Sequence, residues 1–157
     1  NIKQIDEFGN IGKSSRKKEK KYTFEDIFLG NYFLPAPSSL ISMSVIREVG
    51  GYNEKTLLED LYMWLKIAKY GDVYLMEECF SLYRRHSGNI SGNIDLMNSE
   101  RMKLIELFSD NELYEKAKLK MKWLNFKGSR FYGFNVIIKS ALDYFVSFIK
   151  YCFKISI

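Results

Sequence analysis

The sequence predicts an α/β chain: short strands interleaved with helices up to about residue 94, then a mainly helical region to the C-terminus. Three observations carry this. Apolar residues recur at helical spacing between Leu57 and Ala68. Two β-rich runs, "DVYLMEE" and "CFSLYRRH", follow a glycine stop at Gly71. Beyond Asp95 the pattern is helical again, with a break near "SDNE".

The totals set the class. At 157 residues, with 46% hydrophobic and 16% aromatic side chains, the chain can bury a core and does not read as disordered. A formal net charge of +5 suits anionic partners such as nucleotide phosphates, anionic lipid or nucleic acid, without choosing among them. Cys79 and Cys152 lie far apart and form no metal-ligand spacing. They read as reduced thiols of a cytoplasmic protein. The chain opens at Asn1 with no signal-peptide pattern, and the reading expected is a cleavage point or a boundary.

In chain order, residues 1–21 are polar and charged around "GNIGKSSRKKEKK" and are expected to form a mobile, solvated segment. Thr23 is expected to cap a short helix ending near Gly30. "YFLPAPSSLISM" reads as a loop entering a strand over Ser39–Met43. A short helix from about Ser44 is stopped by Gly50 and Gly51, which permit the left-handed backbone that closes helices. The helix over "TLLEDLYMWLKIAKYG" buries Leu57, Leu61, Trp64, Leu65 and Ala68. Its start fits a capping box, Thr56 with Glu59. Glu59 therefore has a structural role. Asp60 falls on the edge of the apolar stripe beside Met63 and Ile67, whereas Glu59 shares the side of Lys66 and Tyr70. Asp60 is either an acid favoured by the helix dipole or a chemical group. "SGNISGN" is a loop.

The tail from Phe131 reads as an apolar, aromatic helix with Lys139, Asp143, Lys150 and Lys154 in one narrow sector. No apolar run approaches the ~20 residues needed to cross a bilayer. The tail is expected at a membrane surface, in a core, or in a homo-oligomer contact.

Four segments stand in a fixed order: "FEDIFLGNYF", "PAPSSLISMSVIREVGGYNE", "LLEDLYMWLKIAKYGDVYLMEE" and "LYRRHSGNIS". Together they resemble the C-terminal, acceptor-side half of family 2 glycosyltransferases of GT-A fold, over roughly Phe24 to Ser91. The resemblance divides the chain into a polar segment (1–21), the acceptor-side half (22–94) and a helical C-terminal region (95–157). It implies transfer of a sugar from a nucleotide-sugar donor to a glycan or lipid-linked acceptor hydroxyl, with inversion, as in cell-surface polysaccharide or glycolipid synthesis. By resemblance Asp60 is the general base and Glu59 its neighbour in the cap. Arg84 and His86 face the donor diphosphate or metal, and Ser38, Ser39 and Trp64 lie near the acceptor. Mg²⁺ or Mn²⁺ is expected in the full-length enzyme. No Asp-x-Asp occurs in this chain, so no metal is expected here except through His86. His86 also fits a loop histidine bonded to backbone, and Ser38 and Ser39 also fit a plain turn. Strand alternation turns Tyr83 and Arg85 away from Arg84 and His86. The resemblance implies no nucleic-acid partner and a place in the cytoplasm at the inner face of the membrane. A non-catalytic basic helical module, on a membrane surface or nucleic acid, is the competing reading.

Overall fold

A computed structural model describes residues 1–129 and 134–155. The chain is mixed α/β, about half helical, with short strands. It forms two compact units, residues 1–97 and 98–157.

Strands β1 (Ile2–Ile5), β2 (Ile11–Ser14) and β3 (Lys20–Tyr22) open the first unit. Helices α1 (Phe24–Phe28), α2 (Met43–Glu48) and α3 (Glu59–Tyr70) follow, then β4 (Val73–Leu75) and β5 (Ser81–Arg84). One sheet has the order β2-β1-β5, with β1 antiparallel to β2 and parallel to β5. The other pairs β3 with β4 antiparallel. The two β-rich runs thus enter different sheets.

Residues 1–21 are not one continuous loop: they carry β1, β2 and the start of β3, while the charge run Arg16–Glu19 is exposed and outside any strand. Ile2 and Ile5 are buried, and β1 is the central strand of its sheet. The buried Asn1 side chain pins the start. Its amide donates to the carbonyls of Lys17, Met76 and Glu77 at 2.8–3.1 Å, and its Oδ1 accepts from Ser15 Oγ and Lys17 N. β5, the parallel partner of β1, and β4, the partner of β3, lie some fifty to eighty residues away, and the nearby β2 is wholly exposed, so local composition could not reveal these strands.

Helix α1 follows its sequence signals. Thr23 Oγ1 accepts from Asp26 N, and Asp26 Oδ2 accepts from Thr23 N, a complete capping box. Its end is a Schellman closure: Gly30 N bonds Ile27 O and Asn31 N bonds Asp26 O. Helix α2 ends the same way through Gly50 and Gly51, at φ 80° and 73°. The strand expected over Ser39–Met43 is absent. The prolines instead set a 3₁₀ turn over Ala36–Ser38, and Met43 already begins α2.

Helix α3 buries Leu61, Met63, Trp64 and Leu65 and packs on α1, whose Ile27 and Phe28 are buried. Leu57, expected in the stripe, precedes the helix and is exposed.

The second unit holds most of α4 (Ile94–Glu106), with α5 (Tyr114–Ser129) and α6 (Phe134–Ile155). The break near "SDNE" lies between α4 and α5. Helices α5 and α6 pack on each other through an aromatic cluster of Trp123, Phe126 and Tyr144 and a 2.7 Å ion pair, Lys122–Asp143. The expected start of the tail helix at Phe131, and the side chain of Lys154, lie outside the described residues. Among the described residues no helix is long and apolar enough to cross a membrane.

Candidate functional site

The first unit carries a cleft of about 440 Å³. Its walls come from the 3₁₀ turn and the segment after it, from α3, and from β4 with the loop beyond. Ser38, Ser39 and Trp64, the three residues expected near an acceptor, all line it. Ser38 Oγ donates to Pro35 O at 3.0 Å, so this hydroxyl also holds the turn. Ser39 is exposed and reaches the same carbonyl at 3.4 Å. Trp64 is 6% exposed and meets the Tyr32 ring edge-on at 5.9 Å.

Asp60 is not a wall of the cleft, but it belongs to the same helical stripe as two wall residues. Asp60, Trp64 and Ile67 stand at i, i+4 and i+7 on α3. The carboxylate is half-buried in the first turn, and its Oδ1 accepts from Leu61 N at 2.6 Å. Glu59 is exposed beside it.

The cap at this helix start differs from the expected one. Thr56 Oγ1 accepts from Leu58 N rather than from Glu59 N. Leu58 is the N-cap residue, and no side chain caps it. Glu59 is therefore the first residue of the helix, not the third, and cannot reach back as a capping-box acid. The segment Asn53–Leu58 is taken up by turns: Thr56 N bonds Asn53 O, and Lys55 N bonds Asn53 Oδ1. These local bonds delay the helix by two residues. Glu59 and Asp60 both remain in the first turn, where the dipole favours negative charge.

The structure does not bring Arg84 and His86 to the cleft. The exposed Arg84 guanidinium donates to the carbonyls of Asp6 and Glu7 at 2.9 and 3.2 Å, locking β5 to the β1–β2 turn. Asp6 accepts from Phe8 N, Asn10 N and the Asn10 amide in that turn. The Asn10 side chain is the main cause that holds its carboxyl below the usual carboxylate range. His86 opens the turn 86–89: its N–H donates to Asn89 Oδ1 at 2.7 Å, and its ring Nε2 lies 3.2 Å from Asn89 Nδ2. His86 thus lies in a loop, and its ring meets the Asn89 side chain rather than the expected backbone group. Tyr83 and Arg85 do share a face, with the guanidinium 5.7 Å from the ring centre.

Among the described residues no group of three or more His, Cys, Asp or Glu side chains is arranged to hold a metal ion. The His86 ring meets the Asn89 amide, not an acid.

Sequence reasoning missed the acids that do line the cleft, Asp72 and Glu78. Asp72 pairs with Lys21 at 2.8 Å and accepts from Tyr74 Oη at 3.0 Å. The Lys21 ammonium holds the Asp72 carboxyl below the usual range, and Asp72 in turn raises Lys21. The only signal for this pair was register, because Lys21 stands opposite Tyr74 across β3 and β4. Comparison of the chain with protein-family models, curated proteins and solved structures returns no match.

Proposed function

We propose that this chain is the acceptor-side part of an inverting glycosyltransferase, with Asp60 as general base. The observation that carries the reading is the stripe Asp60–Trp64–Ile67. It sets a half-buried carboxylate one helical turn from a cleft that already gathers Ser38, Ser39 and Trp64. The ordered segments from Phe24 to Ser91 supply the reaction class by resemblance.

In the proposed reaction the acceptor lies in the cleft and extends along α3 past its edge, so that its hydroxyl oxygen comes within hydrogen-bond reach of Asp60. The oxygen attacks the anomeric carbon of the nucleotide sugar as its proton passes to the carboxylate. The carbon–oxygen bond to the diphosphate breaks, and the nucleoside diphosphate leaves with that electron pair. The new glycosidic bond has inverted configuration. The cleft is lined mainly by apolar groups such as Leu34, Ile41 and Phe80, which suits an acceptor with an apolar portion next to its hydroxyl. Donor binding, and the divalent cation that would offset the diphosphate charge, belong to residues beyond this chain. The protein is placed at the cytoplasmic face of the membrane, where lipid-linked acceptors lie.

The test is transfer by the protein that carries both halves. Asp60→Asn is expected to lower kcat by roughly 10²–10⁴-fold with donor binding intact. Glu59→Gln is expected to keep most of the activity, since Glu59 neither caps the helix nor lies on the cleft stripe. An active Asp60→Asn enzyme overturns the assignment.

A further inference from the structure

Helix α6 has two unlike long faces. One face, carrying Tyr144 and Ser147, packs on α5. The opposite arc carries Ile138, Leu142, Phe145, Val146, Ile149 and Phe153, which fall within about a third of the helix circumference. These six side chains are 42–68% exposed. Lys139 and Lys150, both exposed, run along one border of the arc. At 22 residues the helix is about 33 Å long, so the arc is a continuous apolar strip rather than scattered surface leucines.

We infer that α6 is a membrane-surface helix: its apolar strip lies in the plane of an anionic bilayer, with Lys139 and Lys150 reaching the phosphates of the headgroups. Two observations choose this occupant over a second copy of the chain. The border is cationic, and the acid next to it, Asp143, is already engaged by Lys122 at 2.7 Å. Two copies joined antiparallel along this strip would set lysine borders beside each other, and in either direction α6 offers those lysines no acid but Asp143, which Lys122 engages, whereas an anionic lipid surface complements them. The charge border also argues against a spanning role, because lysines beside an apolar arc suit a helix half-sunk at the headgroup level. The inference does not rest on the transferase reading, because surface binding needs no catalysis.

The test uses the full chain and sedimentation with vesicles of mixed phosphatidylglycerol and phosphatidylcholine, against vesicles of phosphatidylcholine alone. The unaltered chain is expected to sediment with the anionic vesicles and to be released by salt. The double variant Leu142→Glu/Ile149→Glu is expected to lose at least tenfold in affinity. Lys139→Glu/Lys150→Glu removes no apolar area, and it is expected to weaken anionic-vesicle binding by about tenfold or more. Far-UV circular dichroism of both variants should match the parent, since all four positions are exposed. Equal binding to both vesicle types, or binding unchanged in both variants, overturns the inference. So does a dimer seen by light scattering that Leu142→Glu/Ile149→Glu dissolves while vesicles are ignored.

Discussion

Two threonines with the same local signature have different fates. Thr23-x-x-Asp26 and Thr56-x-x-Glu59 both read as capping boxes, yet only the first is one. Before Thr23 the chain is strand β3, and nothing competes for the hydroxyl. Around Thr56, Asn53 forms its own turn, and the threonine hydroxyl is drawn to Leu58 N. A capping-box pattern predicts a cap only when the residues before it leave the box geometry open. The consequence is measurable. Thr23→Ala should destabilise the first unit by about 1 kcal/mol, the usual cost of losing an N-cap. Thr56→Ala should cost less, because its half-buried hydroxyl bonds a turn N–H two residues on and caps no helix. Equal losses in thermal unfolding would show that Thr56 caps in solution. The orientation of the acid pair was legible without the cap: helical periodicity alone turns Asp60 toward Met63 and Ile67 and Glu59 toward water.

At the level of elements, the helices were legible and most strands were not. Helices α1, α2 and α3 are bounded by local punctuation: Thr23, the Gly50-Gly51 pair, and Gly71. β4 and β5 were legible from their β-rich runs. β2 and β3 are almost wholly exposed and lysine-bearing, so neither alternation nor apolar content marks them. The partner of β3 lies some fifty residues on, and β2, only a short turn from β1, carries no apolar signal of its own. The cleft was half legible for the same reason. Its α3 wall follows from periodicity, whereas Asp72 and its Lys21 clamp depend on β3–β4 register. The glycine closure of α2 gives a sharp test. Gly50 has φ 80°, and an added Cβ would find only Lys66 Nζ, at 3.5 Å. Space is therefore no obstacle, and the cost of Gly50→Ala is the left-handed backbone itself, about 1–2 kcal/mol. If chemical denaturation shows no loss, the closure has relaxed to another turn and the Schellman bonds do not bind it.

The molecule as a whole distributes its perturbed acids unevenly between the two units. Asp6, Asp26 and Asp72 in the first unit, and Glu106 in the second, all titrate below the usual carboxylate range. Hydrogen bonds and cations cause these shifts: Asn10 for Asp6, Thr23 and Lys20 for Asp26 against its own desolvation, Lys21 for Asp72, and the Tyr114 hydroxyl with Lys118 for Glu106. A carboxyl whose folded pKa is depressed contributes stability at pH values above its unfolded pKa of about 4, and loses it as pH falls through the folded value. Lys21 and Lys118 are raised, so their contribution is full below their unfolded pKa of about 10.4 and is lost as pH climbs past the folded value. Stability should thus be flat through the neutral range and fall below about pH 4, with the first unit failing first because it holds three of these four named acids. Both tryptophans are placed to read this separately, Trp64 in the first unit and Trp123 in the second. In Trp123→Phe, the remaining Trp64 emission reports the first unit; in Trp64→Phe, Trp123 reports the second. Acid titration near the thermal midpoint should move the Trp64 signal at a higher pH than the Trp123 signal. Added salt should shrink the difference, because all four acids are near the surface and their pairing is screened. A Trp123 transition that comes first, or a single one shared by both probes, would show that the acid response is set by the chain's overall positive charge and not by these local bonds.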